Sequence, residues 1–182
     1  MGMLGLYVHI PFCRQKCAYC DFPSQTGNSL LQEQSVEALC EEIAWQGSRL
    51  GKAPVDTVFF GGGTPTIIGA EALVRVLQQL RQWFLVLPEA EISLEANPGT
   101  VSGEDLRQLR AAGFNRLSLG VQSFDDALLR NCGRIHDGAA AAAALEAARR
   151  AGFENCNVDL MTGLPGQTLS LLQQSVRQAA EL

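Results

Sequence analysis

Tyr7-Val8-His9-Ile10-Pro11-Phe12-Cys13-Arg14-Gln15-Lys16-Cys17-Ala18-Tyr19-Cys20-Asp21-Phe22 is the stretch on which the reading of this chain turns. An apolar run, Leu4–His9, passes into a polar loop where Cys13, Cys17 and Cys20 stand four and three residues apart. One loop with that spacing can wrap a small metal cluster. Three thiolates can hold three irons of a cubane 4Fe–4S cluster and leave the fourth iron open to a small molecule. Two other readings stand beside it. A structural zinc takes four protein ligands, and His9, four residues before Cys13, can complete a Cys3His set. Free cysteines can also be inert, packed as small hydrophobes. Arg14, Gln15 and Lys16 argue against that, because they make the loop polar, and positive charge beside a thiol favours the ligating thiolate.

The other three cysteines read as bland: Cys40 at a core position of a helix, Cys156 in a strand, and Cys132 alone beside Gly133. Six cysteines in a secreted domain would suggest disulfides. The stretch Met1–Ile10 has no basic start and no cleavage site, so a reducing, cytoplasmic setting is expected, where clustered cysteines usually mean metal. The 182 residues suit one domain or part of a larger one, and 47% hydrophobic content supplies a core. No run approaches the roughly 20 apolar residues of a membrane span. A net charge of −5 without a basic block argues against a nucleic-acid partner.

Short apolar strands alternate with helical patterns. Strands are expected at Leu4–His9, Val55–Phe60, Ile92–Glu95, Leu117–Val121 and Cys156–Leu160. Val36, Leu39, Cys40 and Ile43 follow helical spacing after a capping box at Ser29 and Gln32. Leu73, Val76, Leu77, Leu80 and Phe84 form a second stripe. Ser102 and Asp105 cap a third helix that Gly113 ends; Gly152 ends a fourth, built on the alanine run, and Thr168 opens a fifth. Ala112-Gly113-Phe114 and Ala151-Gly152-Phe153 repeat 39 positions apart, about one β/α unit. The pattern gives an α/β fold of about five β/α units, a parallel sheet with helices outside it. Periodicity alone fits both a partial barrel and a piece of a doubly wound sheet.

The strand ends carry the chemistry. In (β/α) barrels the site lies at the C-terminal ends of the strands. The cysteine loop follows the first, Gly61-Gly62-Gly63-Thr64-Pro65-Thr66 the second; Glu95 ends the third, Gln122 follows the fourth, and Asp159 falls near the end of the fifth. Each alone is more often a cap, a turn or a solvated residue. Together, beside a cysteine loop, they point to one site. The glycines can let backbone N–H groups approach a ligand carboxylate.

Tyr7–Cys13, Gly61–Thr66, Leu94-Glu95-Ala96-Asn97-Pro98-Gly99-Thr100, Gly120-Val121-Gln122-Ser123-Phe124, Gly133-Arg134-Ile135-His136 and Asp159–Thr168 occur in one order along the chain. In that order the chain resembles the oxygen-independent coproporphyrinogen III oxidase-like family of the radical S-adenosylmethionine (SAM) superfamily, over Leu6 to Leu182. The resemblance implies a partial (β/α) radical SAM barrel with a 4Fe–4S cluster on Cys13, Cys17 and Cys20. It also implies SAM contacts at Tyr7, Tyr19, Gly62, Gly63, Thr64, Glu95, Gln122, Arg134 and Asp159. The chemistry suits SAM: Glu95 and Asp159 can accept from its amine or ribose hydroxyls, and Arg134 can pair with its carboxylate.

Within the family the haem-chaperone branch, HemW, is the nearer likeness. The oxidases carry a further cysteine two residues after the third, where this chain has Phe22; Glu95–Thr100 and Gly133–His136 also look chaperone-like. The resemblance implies haem and haem-accepting proteins as partners, leaves room for a homo-oligomer, and names no catalytic residue. Its alternatives are an oxidase that decarboxylates coproporphyrinogen III, or an inactive fragment. Family members run on for about as long again, with a sixth unit, a C-terminal domain and a His-Asn-x-x-Tyr-Trp haem motif. Residues 1–182 are therefore expected to be the N-terminal part of a radical SAM core. His9 and His136 are expected to be structural support and an incidental loop residue, respectively.

Overall fold

The computed structural model describes residues 2–182. β1 (Leu4–Ile10), β2 (Pro54–Gly62), β3 (Leu85–Ala96), β4 (Arg116–Gln122) and β5 (Asn155–Leu160) form one sheet in the order β1-β2-β3-β4-β5. Every neighbouring pair is parallel. Helices α1 (Ser29–Leu50), α2 (Ala70–Trp83), α3 (Gly103–Ala112), α4 (Asp126–Asn131) and α5 (Gly138–Arg150) connect the strands, and α6 (Leu169–Glu181) follows β5. Strand order decides between the two architectures. A doubly wound sheet reverses at a switch point and carries helices on both faces. Here spatial order equals chain order, so right-handed crossovers lay successive helices on the same face. This is an open section of a (β/α) barrel.

The two sheet faces differ in chemistry, as period-two alternation requires. Val8 and Ile10, Val58 and Phe60, Ile92 and Leu94, and Leu117, Leu119 and Val121 are buried in one core with Leu73, Val76, Leu77 and Leu80 of α2 and Leu106 and Leu109 of α3. The alternate positions, among them Tyr7, His9, Glu95, Ser118, Gln122 and Asp159, fall on the helix-free face. The repeated Ala-Gly-Phe triplets are structural twins. Gly113 and Gly152 take φ of 106° and 94°, which glycine adopts without a Cβ clash, and each hands the chain to a fully buried phenylalanine, Phe114 or Phe153.

All five expected strands are present, each longer than the sequence indicated. β3 gains most, beginning at Leu85. Its early residues were obscured by Pro88, which cannot donate to a sheet ladder. The register with β2 jumps from Val55↔Val86 to Thr57↔Glu91, so Pro88 sits where no β2 residue pairs with it. The cap of α1 is a correction: Asn28, not Ser29, is the N-cap, its side chain accepting the Leu31 N–H at 2.9 Å. Gln32 donates instead to the Gly27 carbonyl. The Ser102–Asp105 capping box on α3 is present, as is the Thr168 cap on α6. The six-residue α4 was not expected; Asp125 caps it, and it is too short to show a helical period. No helix among the described residues is long and apolar enough to cross a membrane.

Candidate functional site

The cysteine loop leaves the C-terminal end of β1 and is fastened on three sides. Its return strand is held by Cys13 N–H to the Gln25 carbonyl (2.9 Å) and Gln25 N–H to the Pro11 carbonyl (2.8 Å). The segment after β4 grips its middle: the Ala18 N–H donates to the Cys132 carbonyl at 3.2 Å and the Gln15 amide to the Gly133 carbonyl at 3.2 Å. His9 supports the loop from below, its Nε2 lying 3.3 Å from the Pro23 carbonyl and its Nδ1 3.3 Å from the Tyr7 hydroxyl.

The end of β2 closes against the same loop. Gly63 N–H donates to the Ile10 carbonyl and Thr64 N–H to the Phe12 carbonyl, at 2.9 and 2.7 Å. Gly62 N–H donates to the Glu95 carboxylate at 3.2 Å. These donors are therefore engaged within the protein, and the expectation that they approach a ligand carboxylate is corrected. The glycines answer a steric demand instead. A Cβ on Gly63 would sit 2.5 Å from the Phe12 carbonyl oxygen and 3.0 Å from the Cys13 sulfur. One on Gly62 would meet the His9 ring at 2.9 Å.

Acidic side chains rise from the next strands. Burial, with repulsion from Asp159, raises the Glu95 carboxyl above its ordinary value, against the Gly62 hydrogen bond and His9. Asp159 accepts from the Ser118 hydroxyl (3.0 Å) and the Asn157 amide (2.6 Å). Arg134, from the segment between α4 and α5, donates to Asn97 Oδ1 at 2.8 Å, to the Gly120 carbonyl, and to the Cys17 sulfur at 3.5 Å. Burial pushes the Tyr19 hydroxyl up to about 12; Arg134 opposes this and Cys17 adds to it.

These groups converge. Cys13, Cys17 and Cys20 line one cavity of about 210 Å³, and Tyr19, Gly62, Gly63 and Thr64 line it with them. So do Glu95, Gln122, Arg134 and Asp159. Tyr7 does not line it. It stands on the same sheet face at the cavity's flank, where a Cβ on Gly61 would meet both its ring and the Glu95 carboxylate. The residues fit a cluster with one open iron and a charged ligand. Three thiols come from one loop, two carboxylates line the same cavity, and the buried Arg134 Nε has no hydrogen-bond partner.

The zinc reading does not survive. Among the described residues no three His, Cys, Asp or Glu side chains gather closely enough to hold one metal ion, and both His9 nitrogens face other partners. Cubane thiolates bind separate irons and need no such convergence. His136 is also corrected: it is buried, with Nε2 3.2 Å from the Val121 carbonyl, and burial and Arg134 lower its pKa. Cys132 is buried beside the loop, which its carbonyl holds. Sequence reasoning assigned no role to Asn97, Ser118, Gly120 and Asn157. For Asn97 a signal existed, since two positions after Glu95 is the same strand face. Ser118, Gly120 and Asn157 carry no chemistry that separates them from ordinary strand residues.

The fold and its rim define a class, barrel proteins that work through a thiolate-held cluster. Residues 7–179 match the Radical SAM superfamily, and the chain belongs to it. Members use a 4Fe–4S cluster and SAM. The chain is 40% identical over 184 residues to the heme chaperone HemW of Haemophilus influenzae, covering 98% of this chain and 48% of that protein. It is also 40% identical over 177 residues to the oxygen-independent coproporphyrinogen III oxidase of Bradyrhizobium diazoefficiens, covering 96% and 39%. The structure of coproporphyrinogen III oxidase (HemN) from Escherichia coli, a radical SAM enzyme, superposes with a TM-score of 0.92 at 37% identity, over 98% of this chain and 42% of that one. The chain thus spans about half the length of the curated relatives it matches.

Proposed function

We propose that Cys13, Cys17 and Cys20 hold a 4Fe–4S cluster, that SAM lies against Glu95, Gln122, Arg134 and Asp159, with Tyr7, Tyr19, Gly62, Gly63 and Thr64 around it, and that the chain forms this part of a HemW-type haem chaperone. The observation that carries the reading is the single cavity onto which the three thiols, two carboxylates and one guanidinium open. When bound, the cluster supplies an electron to SAM. The protein's own part is to fix the thiols, offer acceptors to an amine or ribose, balance a carboxylate with Arg134, and limit water with Tyr19. In this reading the partners are haem and haem-accepting proteins, and the setting is the cytoplasm.

The chaperone reading rests on Phe22. It stands two residues after Cys20, where the resembling oxidases have a cysteine, and it is 62% exposed on an apolar surface shared with Tyr19, Pro23 and Met161. The second reading, decarboxylation of coproporphyrinogen III, is favoured by the close superposition on the Escherichia coli oxidase. The test is anaerobic incubation of the iron-loaded, reduced protein with SAM and coproporphyrinogen III, with product analysis. The proposal expects the porphyrinogen unchanged; repeated turnover would replace it with the oxidase.

A further inference from the structure

Two of the three loop sulfurs, those of Cys13 and Cys17, accept the two ends of one directed chain of hydrogen bonds. Asn97, at the end of β3, is its centre. Its backbone is pinned by Thr100, whose hydroxyl donates to the Asn97 carbonyl at 2.7 Å and accepts its N–H at 3.2 Å. Its side-chain amide is oriented by Arg134: Nη2 donates to Oδ1 at 2.8 Å, which turns Nδ2 toward Thr64, to whose Oγ1 it donates at 2.8 Å. An amide nitrogen only donates, so the Thr64 oxygen must accept there. Its own proton is thereby free for the Cys13 sulfur, 3.7 Å away. At the other end Arg134 Nη1 donates to the Cys17 sulfur at 3.5 Å. The chain needs Gly120, since a Cβ there would lie 2.6 Å from Asn97 Oδ1.

We propose that Asn97 is a positioning residue that directs one hydrogen bond to the Cys13 sulfur, through Thr64, and one to the Cys17 sulfur, through Arg134, and so raises the reduction potential of the cluster those sulfurs hold. The proposal rests on the cluster reading above. Donors to ligating sulfurs stabilise the more negative, reduced cluster. The Asn97 side chain makes no hydrogen bond to a thiol; it bonds Thr64 and Arg134 and acts by fixing which way they point.

The test measures the cluster midpoint potential by EPR-monitored titration in the absence of SAM, so that any role of Thr64 or Arg134 toward SAM does not enter. Iron per chain and melting temperature are followed in parallel. Thr64→Val removes the donor at nearly constant volume, and Thr64→Ser restores it. Asn97→Asp is acceptor-only, so it keeps the Arg134 contact but draws the Thr64 proton away from Cys13. Thr64→Val and Asn97→Asp should lower the potential at unchanged iron content, and Thr64→Ser should match the wild type. An unchanged potential in iron-replete Thr64→Val overturns the proposal and leaves the cluster reading standing. A wild-type protein that takes up no iron overturns the cluster reading itself.

Discussion

At Glu95 the strand delivers a carboxylate into a half-buried position, one hydrogen bond from the chain and near a second carboxylate, Asp159. Its carboxyl is raised above the ordinary 4.5, burial being the larger cause. The folded state thus holds its proton to higher pH than the unfolded state does. Stability must then fall as pH rises from the ordinary carboxyl value through the folded one, and the penalty stays in full above it. In the metal-free protein, Glu95→Gln should raise the melting temperature at pH 7, and the gain should disappear below about pH 3.5, where both states are protonated. Equal gains at both pH values would show that the effect is packing rather than charge. The Glu95 position was legible in the sequence because it ends an apolar strand. Its engagement by Gly62 was not, because a hydrogen bond across two strands depends on register.

At the scale of elements, the cysteine loop and the end of β2 form one packed unit, and the glycine run exists to let them touch. Gly63→Ala should destabilise the protein by about 1–3 kcal/mol in urea unfolding, as overpacking does, because its Cβ would press on the Phe12 carbonyl and the Cys13 sulfur. Gly103→Ala, at the start of α3 with nothing nearer than 3.9 Å, should be neutral or stabilising. A Gly63→Ala protein as stable as its parent would remove the steric account. The sequence showed which segments are strands, where α3 is capped and where α6 begins, since alternation and capping chemistry are local. It misplaced the α1 cap by one residue because Asn28 and Ser29 are both competent caps. It missed α4 because six residues hold no full apolar period, and shortened β3 because Pro88 counts against a strand until its missing partner is known.

The whole molecule is a sheet whose chain order and spatial order coincide, with one apolar face under helices and one polar face leading to the cysteine rim. Strand order was the part periodicity could not supply; the polar residues arriving at successive strand ends were its only trace in the sequence. β5, at the edge next to β4, has no fully buried residue, in contrast to the interior strand β4. The central claim is that this architecture assembles a cluster whose open iron meets SAM. It is tested by the EPR spectrum of the anaerobically reconstituted, reduced protein, recorded with and without SAM and alongside metal analysis. The account predicts about four irons per chain, lost on replacing Cys13, Cys17 or Cys20 by Ala but kept on replacing Cys40, Cys132 or Cys156, and a spectrum that changes when SAM is added. One zinc per chain without iron, or a cluster spectrum indifferent to SAM, would contradict it.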